Sequence, residues 1–385
     1  MRLLFWGHLG NIHKTDEELV HVSPTRSREM AAELSKLGYD VTAAIYWPQF
    51  EQEISPTLRY VHVDKIDADD YDIVFCHLRL SIDQIAAFAR GDTKAVSRND
   101  KYGHDAERFQ KILDHPQLYL QLDAPRALSK DPTIDIDLVN RFKCVGVATQ
   151  NAVAIWKKMY PLSNVEWVNA ATIAYKYPEG KNPYVDSDSN KKKVIYLGRM
   201  NDASGVTPLD KIHFIAARLP DVEFHIVTNK IRDGKTTKVY AINELQGGSA
   251  REIRFHDAGK LIKGDNIFLH RGSLYKDSFD WMHYADCAIG FTVRPGQDVA
   301  SCKSWEYYGT GVPVVLEEDT PETWILGEIA QGKVAKFQNW NDFAAKIEEV
   351  LQTPYKRRKM RKYIRSNHGY DSRAKQWQEI IERHR

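Results

Sequence analysis

Apolar and polar positions change rhythm many times along this chain. Leu3 to Trp6 is an unbroken apolar run, which predicts a strand buried on both faces. From Arg26 to Leu37 the apolar residues Met30, Ala31, Leu34 and Leu37 recur at helical spacing, Gly38 closes the helix, and Val41 to Tyr46 returns to a strand. The series continues through Tyr71 to Cys76, Ile82 to Ala89, Ala95 to Ser97, Leu118 to Leu122 and Cys144 to Ala148. Such alternation predicts a doubly wound parallel sheet.

The pattern then breaks. Pro178, Gly180, Asn182, Pro183, Asp186, Ser187, Asp188 and Ser189 are followed by three lysines, the composition of an interdomain linker, assigned to 181–193. A second series follows: strand Val194 to Leu197, helix Asp210 to Ala217, strands Glu223 to Thr228 and Ile267 to Leu269, helix Phe279 to His283, and strand Cys287 to Phe291. The expected fold class is therefore α/β, with one Rossmann-like domain over 1–180 and a second over 194–355. Two such domains facing a cleft would bind ligands at the carboxyl ends of their strands. Trp340 to Arg385 reads as helical, with Phe343, Ile347, Val350 and Leu351 on one face. No internal repeat or low-complexity tract appears.

Composition narrows the setting. A chain of 385 residues, 43% hydrophobic and 28% charged, is long enough for about two domains and has the balance of a soluble globular protein. The formal net charge of +2 demands no polyanionic partner. The widely spaced Cys76, Cys144, Cys287 and Cys302 form no CxxC pair or Cys/His cluster, so reduced thiols are expected and a structural zinc site is not. The four apolar residues after Arg2 are too few for a signal peptide, and no apolar run approaches the length of a membrane span. The expected location is the cytoplasm or a membrane surface. One local exception to the charge balance is the basic run Lys356 to Lys362, a candidate for contact with a membrane or a phosphate backbone.

The densest chemistry lies between Ser301 and Val315. Lys303 and Glu306 are three apart, so a helix places them on one face near its start. Gly309 and Gly311 end that helix, and Val312 to Leu316 reads as a buried strand. A helix N-terminus flanked by the Ser301 hydroxyl and the Lys303 ammonium is where a diphosphate would sit.

These residues carry a resemblance. S-x-K-x-x-E-Y-x-x-x-G-x-P-V-V resembles the donor-binding segment of GT-B glycosyltransferases, both the group 1 type and the glucuronosyltransferases of polysaccharide assembly. The resemblance implies that Lys303 meets the diphosphate of a nucleotide-sugar, with uridine the expected nucleoside, and that Glu306 meets the ribose. Val194 to Met200 resembles the start of the second GT-B domain, where Arg199 reaches the donor phosphates with its planar guanidinium. The following Asn201 to Gly205 lacks the Lys-Gly pair common in that family. His270 to Tyr275 resembles the segment that grips the base, with Gly272 allowing close approach and Tyr275 packing on the ring. Retaining relatives carry Glu-x7-Glu, and here Asp298 and Glu306 stand with seven residues between them. By the same resemblance 1–180 is the acceptor side, and 356–385 is a final helix returning to it.

In the first domain, Gly7 to His13 follows the first strand but is not GxGxxG, so a dinucleotide site is not expected. Gly7, His8, Gly10 and His13 are candidate acceptor or sugar contacts. Asp100 resembles the general base of the inverting glucuronosyltransferases, which must take the acceptor hydroxyl proton, and His77 and His104 stand in reserve. Asp100 as base favours inversion, whereas the Asp298/Glu306 spacing leans towards retention. No metal or cofactor is expected beyond the nucleotide-sugar itself. The acceptor could be a saccharide, a lipid-linked glycan or a modified base in DNA. Two other readings stay open: an epimerase or phosphorylase, and a non-catalytic module binding nucleotide-sugar or nucleic acid.

Overall fold

The computed structural model describes residues 1–7, 12–13, 22–78, 85, 87, 106–122, 132–185, 190–198, 208–228, 230–232, 239–241, 262–271, 276–292 and 302–385. Two compact units divide them. The first takes its residues from Met1–Thr15, His21–Ala171 and His368–Arg385, and the second from Thr172–Asn367.

Eight strands build the first unit's sheet: β1 (Arg2–Gly7), β2 (Asp40–Ile45), β3 (Gln52–Ser55), β4 (Leu58–His62), β5 (Ile73–Leu78), β6 (Leu118–Leu122), β7 (Cys144–Val147) and β8 (Val165–Trp167). Their order is β3-β4-β2-β1-β5-β6-β7-β8, parallel throughout except for the antiparallel β3 at the edge. The apolar runs are covered on both faces, as parallel strands require. One face carries Leu4, Val74, Leu118, Leu120 and Val145 in a core closed by Phe109 and Ile112 of a helix at Ala106–Leu113. On the other, Phe75 meets the edge of Trp377 at 4.8 Å, and the Trp377 indole N–H donates to Gln121 Oε1 at 2.9 Å.

Numbered in chain order, the helices of this unit are α1 (Val22–Lys36), α2 (Ala106–Leu113), α3 (Pro132–Val139) and α4 (Gln150–Met159), with a terminal helix at Tyr370–His384. The chain leaves β1 to build β2 on one side and later returns to place β5 on the other. The gap between β1 and β5 is thus a topological switch point.

The second unit has six parallel strands in the order β13-β10-β9-β14-β15-β16. They are β9 (Lys192–Leu197), β10 (Val222–Thr228), β13 (Ile267–Arg271), β14 (Cys287–Gly290), β15 (Val314–Glu317) and β16 (Gly332–Ala335); β11 (Lys230–Arg232) and β12 (Val239–Ala241) pair separately. This is the doubly wound dinucleotide-fold order, with its switch point between β9 and β14. Its helices are α5 (Pro208–Ala216), α6 (Ser278–Tyr284), α7 (Cys302–Thr310), α8 (Trp324–Ile329), α9 (Trp340–Gln352) and α10 (Arg357–His368). The terminal helix Tyr370–His384 is then α11.

The structure revises several sequence boundaries. The stretch from Trp340 onward is three helices, because Pro354 cannot continue α9 and Gly369 separates α10 from α11. Gly309 lies inside α7 rather than ending it: a β-carbon there would fall 2.7 Å from Ala174 Cβ. Within the segment assigned as linker, Tyr184 is buried in the second unit and donates from its hydroxyl to Trp281 O at 2.8 Å, while Lys192 and Lys193 already belong to β9. The expected elements at Ala95 to Ser97 and over most of Ile82 to Ala89 lie outside the described residues.

Candidate functional site at the carboxyl edge of the second sheet

β9 is followed at once by Gly198, whose φ of +124° lies in the left-handed range that favours glycine. There is a second reason for glycine here. A β-carbon on Gly198 would fall 2.7 Å from both Cδ and Nζ of Lys303, the second residue of α7. Lys303 therefore lies across the end of β9. Its ammonium donates to the Tyr196 hydroxyl at 3.2 Å and stands 4.7 Å from the centre of the Tyr196 ring. The ammonium is thus directed to Tyr196 rather than to Glu306, although the two residues share a helical turn.

One turn further along α7, the Leu197 backbone N–H donates to the Tyr307 hydroxyl at 2.9 Å, which ties the helix to the same strand end. Burial holds the Tyr307 phenol well above its ordinary pKa, so it stays neutral and able to accept. Glu306 is buried in the same turn at 7% exposure. Helix start, ammonium and strand end converge at the switch point, where free backbone N–H groups and the positive helix end favour an anion.

Beside this corner a buried carboxylate joins three connections. Glu317, the last residue of β15, accepts at Oε2 from the Lys211 ammonium at 3.1 Å and from the Thr292 backbone N–H at 2.9 Å. Its Oε1 accepts from the Gln338 backbone N–H at 3.1 Å. Thr292 opens the connection from β14 to α7. Lys211 is 1% exposed and Glu317 0%, so the pair is sealed from water, with the ammonium also 5.4 Å from the Phe291 ring centre.

A third polar group lies towards the sheet edge. Glu223 Oε2 is 3.3 Å from His225 Nε2, and His225 Nδ1 is 2.9 Å from His270 Nε2. A carboxylate can only accept, so His225 donates from Nε2 and its Nδ1 accepts from His270 Nε2, which makes the His225 ring neutral. Desolvation pulls both imidazoles down to about 4 against the partial counter-pull of Glu223 on His225.

At the switch point of the first sheet, Gly7 pairs with His77, and a β-carbon on Gly7 would fall 2.8 Å from His77 O. His77 lies within β5 rather than after it, is 2% exposed, and shares a 3.1 Å hydrogen bond between its Nδ1 and Ser27 Oγ of α1. His13 stacks on the Phe50 ring with centroids 3.8 Å apart and planes 12° apart.

The structure thus brings Lys303 and Glu306 to one helical turn, and Gly7 and His77 to one strand pair. His8, Gly10, Asp100, His104, Arg199, Gly272, Tyr275, Asp298 and Ser301 lie outside the described residues. Sequence reasoning missed Tyr196, Tyr307, Lys211 and Glu317, whose apolar surroundings marked them as core. Among the described residues no group of three or more His, Cys, Asp or Glu could hold a metal ion, and no helix is long and apolar enough to cross a membrane.

No family model matches the sequence, and no curated protein does. Solved structures do. A sucrose-phosphate synthase from Thermosynechococcus elongatus superposes with a TM-score of 0.66 at 12% identity, covering 100% of this chain and 99% of that one. Anabaena HepE in complex with UDP gives 0.60 at 14% identity, covering 100% of both chains. An alpha,alpha-trehalose-phosphate synthase (UDP-forming) from Burkholderia vietnamiensis gives 0.60 at 11% identity, covering 100% of this chain and 99% of that one. Likeness over whole chains at such low identity speaks to architecture, and it agrees with the two doubly wound sheets described above. This chain has the GT-B fold of the nucleotide-sugar glycosyltransferases.

Proposed function

We propose that this protein transfers a sugar from a nucleoside-diphosphate sugar, with uridine as the nucleoside, to an acceptor hydroxyl. The observation that carries this reading is the Lys303 side chain lying over Gly198 at the N-terminal end of α7. An ammonium held against a strand end, beside the free amides of a helix start, is suited to the charge that develops on a leaving diphosphate as the glycosidic C–O bond breaks. Tyr196 and Tyr307 fix that geometry, and the Glu317–Lys211 pair steadies the connections on either side. HepE was solved with UDP, which supports uridine.

In this reading Arg199 and Ser301 add further phosphate contacts, Glu306 holds the ribose, Gly272 and Tyr275 receive the base, and Asp298 meets a sugar hydroxyl. Asp100 takes the acceptor proton, and no divalent metal is needed for turnover. The acceptor is a saccharide, free or carried on a lipid.

A thermal-shift series with UDP, GDP, ADP and CMP against wild type and Lys303→Ala tests the donor site. Ligand at about a hundred times its Kd stabilises a native state by about 2.7 kcal/mol, a shift of a few degrees. A shift with UDP that the Lys303→Ala change abolishes is the expected result; no shift with any nucleotide would sink the proposal. Release of free UDP only when an acceptor is added then separates transfer from epimerisation.

A further inference from the structure

The basic run singled out in the sequence divides into two sets once folded. Arg357 and Arg361 turn inward: Arg357 donates to the backbone carbonyls of His283 and Ala285, and Arg361 donates to Tyr177 O at 3.1 Å. With Met360 at 2% and Ile364 at 0% exposure, they form the packed side of α10. Arg358, Lys359, Lys362 and Arg365 are exposed, as is Lys356 just before the helix. At 100° per residue, Arg358, Lys362 and Arg365 fall in one narrow stripe opposite Met360 and Ile364, with Lys359 at its border.

None of these five cations has an ion-pair partner among the described residues. The carboxylates that act on the helix lie elsewhere: Asp286 and Glu179 act on the inward Arg357, and Glu328 accepts from the Tyr363 hydroxyl. Near-neutral overall charge makes this concentration local rather than general.

We infer that the outward face of α10 docks on an anionic lipid bilayer. The stripe offers charge without shape. It has no exposed aromatic side chain on which a nucleic-acid base could stack and no apolar anchor of the kind that dominates protein interfaces. Because Met360 and Ile364 are used inside the fold, the helix has no free apolar face to insert. Binding is therefore a peripheral contact that salt reverses. The inference does not depend on the donor site, and α10 contributes none of the residues assigned to it.

The test is co-sedimentation of the full chain with vesicles of phosphatidylcholine alone or with about one third phosphatidylserine, for wild type and for Arg358→Glu/Lys362→Glu/Arg365→Glu. Each cation near such a surface strengthens association about fivefold, so reversing three is expected to weaken it by at least about a hundredfold. Wild type should bind only the anionic vesicles and be released by about 0.5 M salt. The control Lys157→Glu/Lys158→Glu, on exposed positions of α4, should bind like wild type. An unchanged melting temperature and UDP shift in the triple variant would show that its fold and donor site are intact. Failure of wild type to sediment with anionic vesicles, equal sedimentation of the triple variant, or binding to duplex DNA but not to vesicles would overturn the inference.

Discussion

At the switch point of the second sheet, between β9 and β14, a half-buried ammonium lies over a glycine beside a helix start. At the switch point of the first, between β1 and β5, a buried imidazole and a hydroxyl share one hydrogen bond. The topology is the same, and the chemistry is not. A cation at the end of a parallel strand suits an anionic ligand, whereas a sealed histidine–serine pair spends its polar atoms on tying β5 to α1. What a doubly wound sheet supplies is a place; which ligand that place accepts depends on a few side chains reaching it from distant parts of the chain.

The comparison can be broken most forcefully at Glu317. Replacing it by Leu strands the Lys211 ammonium in an apolar setting, and the expected loss is about 3–5 kcal/mol of stability, measured by urea unfolding. Adding Lys211→Met should recover most of it. A loss below about 1 kcal/mol would mean that the ammonium reaches water and the pair is no strut.

Acid sharpens the contrast next. His225 and His270 sit at about 4 in the folded second unit against about 6.5 when unfolded, so the unfolded chain takes up protons first as pH falls. Stability should drop by a few kcal/mol between about pH 6.5 and pH 4 and level off below. The variant His225→Gln/His270→Gln should flatten that slope, and an unchanged slope would remove the pair from the account.

In the first unit, His77→Ala should cost about 1–3 kcal/mol by leaving the Ser27 hydroxyl without its partner, while the UDP-induced thermal shift stays as in wild type. Loss of that shift would show that the first switch point takes part in nucleotide binding. The smallest change is Tyr307→Phe, which deletes one acceptor for the Leu197 N–H. About 1 kcal/mol of stability and a weaker UDP shift are expected. Full retention of both would make the tie dispensable.

Much of the architecture was legible in the sequence because parallel strands such as β1, with Leu3, Leu4, Phe5 and Trp6 in unbroken succession, are apolar on both faces and announce themselves. The edge strand β3, Gln-Glu-Ile-Ser, carries no such signal: its first three residues are exposed, and it exists only by pairing with β4. The site was legible to the extent that it lay in one stretch. Lys303, Glu306 and the helix start were readable together. That Lys303 would rest on Gly198 and Tyr196, more than a hundred residues earlier, was not, because a buried tyrosine hydroxyl and a strand-ending glycine look like ordinary core and turn until the chain is folded. Glu317 and Lys211 were hidden for the same reason, being 106 positions apart.

The last helix has a consequence for synthesis. Trp377, fully buried, lies against Gln121 of β6 and Phe75 of β5, and Ile380 and Ile381 are buried with it in the first unit. A ribosome makes the strands of that unit early but delivers the helix that covers Phe75 and Gln121 only after the second unit's residues, up to Asn367, have been made. The second unit can reach its native core before that helix is made; the first must wait for it, with Phe75 and Gln121 lacking their Trp377 cover.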